Sequence, residues 1–132
     1  MLNNQDGVCE SGSEMVTLGT ILIVEDEVLV SIGIEDLVRE MGAGEVLVCG
    51  DARHALEFIE TGKVDLAILD VQLGGGTSFA VADALDARGI PFMFSSALGP
   101  VAVEGRHGHR PMLSKPFADE ELRARVLSLG RS

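Results

Sequence analysis

The sequence Ile21-Leu22-Ile23-Val24-Glu25-Asp26 decides the fold of this chain, because an apolar run leads directly into two carboxylates. The arrangement returns at Leu66-Ala67-Ile68-Leu69-Asp70, and a third short run, Pro111-Met112-Leu113-Ser114, leads into Lys115-Pro116. Short, continuously apolar runs are typical of strands that are covered on both faces of a parallel sheet. Parallel neighbours end at one sheet edge, where open sheets place their ligand sites. We therefore expect Glu25, Asp26, Asp70 and Lys115 to meet there.

Acidic side chains that converge in this way predict a bound cation. Carboxylates gathered around one point repel each other, and oxygen ligands of this kind suit Mg²⁺. The strand ends therefore predict a Mg²⁺-dependent site that holds a lone reactive aspartate, Asp70, beside the ammonium group of Lys115.

Composition limits the class of protein. A chain of 132 residues with 46% apolar content can build one core and predicts a single domain. No apolar run approaches the length of a membrane span and the N-terminus lacks a secretory signal, so we expect a cytoplasmic protein with no membrane partner. Cys9 and Cys49 do not make a disulfide framework. A net charge of −11 and the absence of Trp and Tyr argue against nucleic-acid binding.

The chain divides into a leader and a domain. Residues 1–18 are polar and aperiodic, which predicts a disordered N-terminal leader, and residues 19–132 form the domain. Met15 stands just before the domain, so translation starting there is an open alternative to Met1.

From residue 20 onward, short apolar runs alternate with segments of helical spacing. Five such strand–helix units predict an α/β fold with a doubly wound, five-stranded parallel sheet. The unit between the fourth and fifth strands is weak, because Pro100, Gly105 and Gly108 disfavour a helix there. The predicted strands are Ile21–Val24, Val46–Val48, Leu66–Leu69, Phe92–Phe94 and Met112–Leu113, and the stronger helices are Glu27–Met41, one capped by Asp51 that ends before Gly62, one from Ser78 to near Gly89, and Asp119–Leu129.

Helical spacing also predicts which side chains face the core. In the first helix we expect Leu29, Ile32, Leu37, Val38 and Met41 on one side. The stripes of the later helices are Ala55, Leu56 and Ile59, then Val81, Ala82 and Leu85, and last Leu122, Val126 and Leu129.

Four short motifs in this order carry a resemblance to a known family. They are the acid pair in Ile-Val-Glu25-Asp26-Glu, the strand-end acid in Leu-Asp70-Val, the pair Ser96-Ala97, and Lys115-Pro116-Phe117. Over residues 19–132 the chain resembles the response-regulator receiver domain of two-component signalling, a flavodoxin-like fold. Ser95 is an open alternative to Ser96, which is preferred for its spacing from Pro91.

The resemblance implies a role for each site residue. Asp70 would accept a phosphoryl group from a histidine kinase or histidine phosphotransfer protein. Asp26, Asp70 and the backbone carbonyl of Gln72 would bind Mg²⁺, with Glu25 helping directly or through water. Ser96 would hydrogen-bond the phosphoryl oxygens, and Lys115, placed by a cis bond to the following proline, would pair with them.

The same resemblance implies a mode of action. The chain would be a stand-alone receiver, a monomer or weak dimer that signals by contact with an unknown downstream protein or serves as a phosphate sink. No independent enzyme is expected beyond self-phosphorylation from a phosphodonor and slow autodephosphorylation.

The chain departs from common receivers at two places. Leu73-Gly74 stands where many have Met-Pro, and Met112 occupies the position of an aromatic switch residue. The surrounding pattern resembles a receiver subgroup found in alphaproteobacteria, which often lacks that aromatic. Output would then use other elements, and we expect residues 98–110 to reorder when Asp70 is phosphorylated. The glycine-rich stretch 73–77 favours a flexible turn over a phosphate nest, and His107 and His109 favour a mobile loop over a metal pair.

Two other functions are alternatives to a phosphorylated receiver. A Mg²⁺ phosphohydrolase of the haloacid-dehalogenase type would need a second aspartate two residues after the nucleophile, where this chain has Gln72. A constitutive docking domain that is never phosphorylated stays open as the alternative to a phosphorylated receiver.

Overall fold

The computed structural model of the chain describes residues 18–74, 76–97 and 110–130, over which strands and helices alternate. The elements in chain order are β1 Gly19–Val24, α1 Val28–Glu40, β2 Ala43–Cys49, α2 Ala52–Glu60, β3 Leu66–Asp70, β4 Gln72–Leu73, β5 Gly76–Thr77, α3 Phe79–Ala87, β6 Phe92–Ser96, β7 Met112–Ser114 and α4 Asp119–Gly130.

Five of the strands form one parallel sheet in the order β2-β1-β3-β6-β7. Val24 is level with Leu69, and Asp70 with Ser95, so the central strands end together. The sheet confirms the predicted parallel α/β fold and brings the residues that follow β1, β3 and β7 to one edge.

Apolar side chains cover both faces of the sheet. Successive side chains of a strand point to opposite faces, so each strand contributes to two cores. One core joins the sheet to α2 and α3, and the other joins it to α1 and α4, which confirms the doubly wound arrangement. The helix residues of the first core are Ala55, Ile59, Val81, Ala82 and Leu85, and those of the second are Ile34, Leu37, Val38, Leu122, Val126 and Leu129.

The expected core face of α1 was partly wrong. Leu37 and Val38 are buried and Met41 packs against the core, but Leu29 is 85% exposed and Ile32 is 47% exposed. At 100° per residue these two positions lie roughly 140° to 160° around the helix axis from Ile34, which is the buried centre of the stripe. The N-terminal half of α1 therefore presents apolar side chains to solvent.

The predicted cap and end of α2 are confirmed. The Asp51 carboxylate accepts a hydrogen bond from the backbone N–H of His54 at 2.8 Å, which satisfies a donor at the helix N-terminus. Gly62 follows the helix with φ of +77°, a left-handed conformation that glycine adopts without steric cost.

The edges of the domain differ from the sequence-based boundaries. Leu18, assigned to the leader, is buried, and its backbone N–H donates to Gly42 at 3.2 Å, so this residue belongs to the folded domain. Residues 1–17, 98–109 and 131–132 lie outside the described residues. The predictions of a weak helix, of a mobile histidine loop and of reordering over 98–110 fall almost entirely on the second of these segments. Within the described part of the chain, no helix is long and apolar enough to cross a bilayer.

Candidate functional site

The three carboxylates and the lysine meet at the carboxyl edge of the sheet, as the strand-end pattern predicted. Glu25 and Asp26 follow β1, Asp70 ends β3, and Lys115 follows β7. One oxygen from each of the three acids lies within 4.8 Å of the others. Parallel strands that end level with one another produce this convergence from residues far apart in sequence.

Lys115 provides positive charge inside this cluster. Its Nζ lies 2.8 Å from Glu25 Oε1, 3.2 Å from Asp70 Oδ2 and 3.7 Å from Glu27 Oε1, and its side chain is only 12% exposed. Burial alone would lower the pKa of Lys115, but the ion pairs with Glu25 and Asp70 outweigh burial and raise that pKa. The lysine is therefore held in its charged form. Its peptide bond to Pro116 is cis, as the resemblance implied.

Glu25 is the most buried of the acids. Its Oε2 accepts the backbone N–H of Glu27 at 3.1 Å, and its buried Oε1 accepts a charge-assisted hydrogen bond from Lys115 Nζ at 2.8 Å. Burial raises the pKa of Glu25. The hydrogen bonds from Lys115 and from the Glu27 N–H lower that pKa, but by less, so it remains above its usual value. A carboxylate has about four lone-pair sites on its two oxygens, so these two hydrogen bonds leave capacity for a cation.

Asp26 and Asp70 are held by backbone amides from the segment that follows β3. The N–H of Gln72 donates to Asp70 Oδ1 at 3.3 Å, and the N–H of Gly74 donates to Asp26 Oδ2 at 3.0 Å. This segment forms an antiparallel hairpin in which Gln72 pairs with Thr77 and Leu73 with Gly76. The sequence predicts a flexible turn at 73–77 but not this hairpin, because two-residue strands carry too little pattern to be recognised.

A cavity of about 550 Å³ opens over these residues, and it distinguishes the two candidate serines. Ser96 and Ala97 line this cavity with the hairpin, whereas Ser95 does not line it. The Ser95 hydroxyl is buried and has no hydrogen-bond partner among the described residues. Of the two candidate serines, Ser96 is therefore the one that lines the acidic cavity.

The donor set fits a hard divalent cation. Carboxylate oxygens from Glu25, Asp26 and Asp70 lie within 4.8 Å of one another. Hard cations such as Mg²⁺ take oxygen ligands of this type and retain several waters. The cavity is open enough for such waters, and Gln72, expected to contribute its backbone carbonyl, lines it.

An apolar surface that the sequence analysis did not predict lies beside the acidic cavity. A second cavity, of about 420 Å³, is lined by Leu29, Val30, Pro116, Phe117 and Lys115, among other residues. Val28, Leu29 and Ile32 add exposed apolar area on α1. Lys115 borders both cavities, so the apolar surface is continuous with the acidic site. A helical stripe centred on Ile34 leaves Leu29 and Ile32 on the opposite side of α1, and this pattern in the sequence indicates the exposed apolar surface.

Comparison with known proteins places these features in one family. A model of the response regulator receiver domain matches residues 21–127. The transcriptional regulatory protein TcrA of Mycobacterium tuberculosis is 34% identical over 116 residues, which cover 84% of this chain and 46% of TcrA. The chain spans about half the length of the curated relatives it matches.

Solved structures agree with this result. The solution structure of SdrG from Sphingomonas melonis Fr1 is 39% identical, covers 86% of this chain and 97% of its own chain, and superimposes with a TM-score of 0.75. The BeF3-activated conformation of SdrG from Pseudomonas melonis Fr1 is 40% identical, with coverages of 87% and 98% and a TM-score of 0.72.

Proposed function

The chain belongs to the response regulator receiver domain family, and on that premise we propose that Asp70 accepts a phosphoryl group from a histidine kinase or a histidine phosphotransfer protein. The observation that carries the proposal is that Asp70 lies 3.2 Å from Lys115 Nζ and has an oxygen within 4.8 Å of an oxygen of each of the other two acids. A carboxylate in that position can act as a nucleophile because neighbouring positive charge offsets the repulsion of an incoming phosphoryl group.

The transfer is a displacement at phosphorus. A carboxylate oxygen of Asp70 bonds to phosphorus, the bond from phosphorus to the donor's imidazole nitrogen breaks, and that nitrogen keeps the electron pair. Lys115 stabilises the charge on the phosphoryl oxygens, and Ser96, which lines the cavity, donates a hydrogen bond to them. Mg²⁺ held by Glu25, Asp26, Asp70 and the Gln72 carbonyl would supply further positive charge to the same oxygens.

The exposed apolar surface on α1 supports a protein as the phosphodonor. Leu29 is 85% exposed and borders a cavity that shares Lys115 with the acidic site. A partner that covers this surface would bury apolar area while it brings its phosphohistidine to Asp70. We propose that the output is likewise a contact with a protein, since a net charge of −11 disfavours nucleic acid.

Intact mass after incubation with acetyl phosphate and Mg²⁺ tests the proposal. The chain should gain one phosphoryl group, and Asp70→Asn should gain none. Asp36→Asn, which removes an exposed carboxylate on α1, is the matched control and should be phosphorylated like the wild type. An unmodified wild-type chain would favour the constitutive docking domain, and sustained turnover of acetyl phosphate with no modified protein would favour a hydrolase.

A further inference from the structure

The backbone N–H of Gly74 contacts the acidic site from the tip of the β4–β5 hairpin. It donates to Asp26 Oδ2 at 3.0 Å, across 48 positions of the sequence. Gly74 also lines the acidic cavity together with Asp26. A hydrogen bond from a neutral amide to a carboxylate is charge-assisted and is stronger than one between neutral groups.

Asp26 is the acid of the cluster that most needs such a partner. Glu25 and Asp70 are buried and both pair with Lys115, whereas Asp26 is exposed. An exposed aspartate that nothing restrains occupies several side-chain rotamers. The Gly74 N–H selects the orientation in which Asp26 contributes an oxygen to the cluster.

We infer that Gly74 is a positioning residue for the cation site, and that its N–H couples the hairpin to occupancy of that site. The inference rests on the proposed function, because it concerns the Mg²⁺ site that serves Asp70. Hydrogen bonds that orient a metal ligand commonly change metal affinity by about 10- to 100-fold when they are removed.

Two substitutions at Gly74 distinguish the effect of losing the backbone N–H from the effect of adding a side chain. A Cβ at Gly74 would meet Asp26 Oδ2 at 4.0 Å, an ordinary contact, and Gly74 is not among the described glycines with positive φ. Gly74→Ala therefore keeps the hydrogen bond, whereas Gly74→Pro has no N–H to donate. Leu73 is in an extended strand, the conformation that a residue before proline prefers.

Isothermal titration calorimetry with Mg²⁺ as the ligand and no phosphodonor tests the inference. We expect Gly74→Ala to bind Mg²⁺ within about twofold of the wild type and Gly74→Pro to bind it about tenfold more weakly. Equal affinities for the two variants would overturn the inference. A wild-type chain that does not bind Mg²⁺ would instead contradict the metal site of the proposed function.

Amide hydrogen exchange in the wild type tests the same coupling and does not depend on whether Gly74→Pro folds. If the hairpin and the site are coupled, Mg²⁺ should slow exchange at the Gly74 amide severalfold, because linkage is reciprocal. The Gly62 amide, which donates to Ile59 at the end of α2, is the control and should not change. A Gly74 exchange rate that is unaffected by saturating Mg²⁺ would overturn the inference.

Discussion

Lys115 Nζ lies 3.2 Å from Asp70 Oδ2, although Asp70 ends β3 and Lys115 follows β7, two strands that are not neighbours in the sheet. β6 separates β3 from β7, so roughly 10 Å of sheet, two strand spacings, lies between the two backbones. The lysine side chain crosses the end of β6 to reach the acids. The charge balance of the site therefore depends on the order of the strands as well as on the residues at their ends.

Lys115→Met should destabilise the Mg²⁺-free protein and raise its affinity for Mg²⁺. Glu25 and Asp70 would lose their cation, which should lower the free energy of unfolding by about 1 to 3 kcal/mol. The same loss of positive charge should raise Mg²⁺ affinity severalfold. Urea unfolding with and without Mg²⁺ measures both effects, with Lys63→Met, an exposed lysine, as the control. Weaker Mg²⁺ binding by Lys115→Met would contradict the expectation.

Ser95 and Ser96 should respond differently to replacement by alanine. The buried Ser95 hydroxyl has no hydrogen-bond partner in the described part of the chain, so Ser95→Ala should leave the free energy of unfolding unchanged or raise it by up to about 1 kcal/mol. Ser96 lines the cavity, so Ser96→Ala should reduce the chemical-shift changes that beryllofluoride causes along β6, whereas Ser95→Ala should retain them. The reverse result would assign the phosphoryl contact to Ser95.

Leu29→Ser should impair transfer from a protein donor but not from a small molecule. The side chain is 85% exposed, so its loss should change the free energy of unfolding by less than about 0.5 kcal/mol. Phosphorylation by acetyl phosphate should be unaffected, and transfer from the cognate phosphorylated kinase should slow at least about tenfold, as for an interface anchor.

The control for this comparison is Ala80→Ser, which changes an exposed apolar residue on α3, and it should transfer at the wild-type rate. If Leu29→Ser slowed both donors equally, the effect would lie in the acidic site rather than in docking.

The stabilising charge of Asp51 should be lost in acid. Its pKa is lowered from 3.8 by the hydrogen bond from the His54 N–H, and then by the His54 side chain. A carboxyl group whose folded pKa is lowered adds stability above the unfolded value, and that contribution disappears as the pH falls through the folded pKa.

Asp51→Asn keeps an oxygen that can cap α2 but removes the charge. The wild type should therefore unfold at higher urea than Asp51→Asn at neutral pH, and the two should converge as the pH falls below 3.8. A difference that widens on acidification would show that another group dominates.

Cys49 should alkylate slowly at neutral pH. Burial raises the pKa of its thiol to about 11, so only about one molecule in a thousand carries the thiolate at pH 8. In a Cys9→Ser background, iodoacetamide should modify the folded chain at least about a hundredfold more slowly than it modifies the same chain in urea. Equal rates in the two conditions would contradict a protonated, half-buried thiol.

The sequence alone was sufficient for the parallel fold and for the residues at the sheet edge. Runs such as Ile21–Val24 followed by acids are local patterns, and their meaning depends only on strand burial and on where parallel strands end. The cap at Asp51 and the buried stripe of α4 were predictable for the same reason, since caps and helical periods extend over a few residues.

Tertiary structure decided the features that depend on contacts between distant segments. The bond from Gly74 to Asp26, the reach of Lys115 across β6 and the exposure of Leu29 depend on strand order, on register and on which helix face meets the sheet. Local sequence encodes the chemistry of each side chain and the period of each element. Packing fixes the rotation and spacing of those elements, because only the folded chain determines which of several apolar faces is buried.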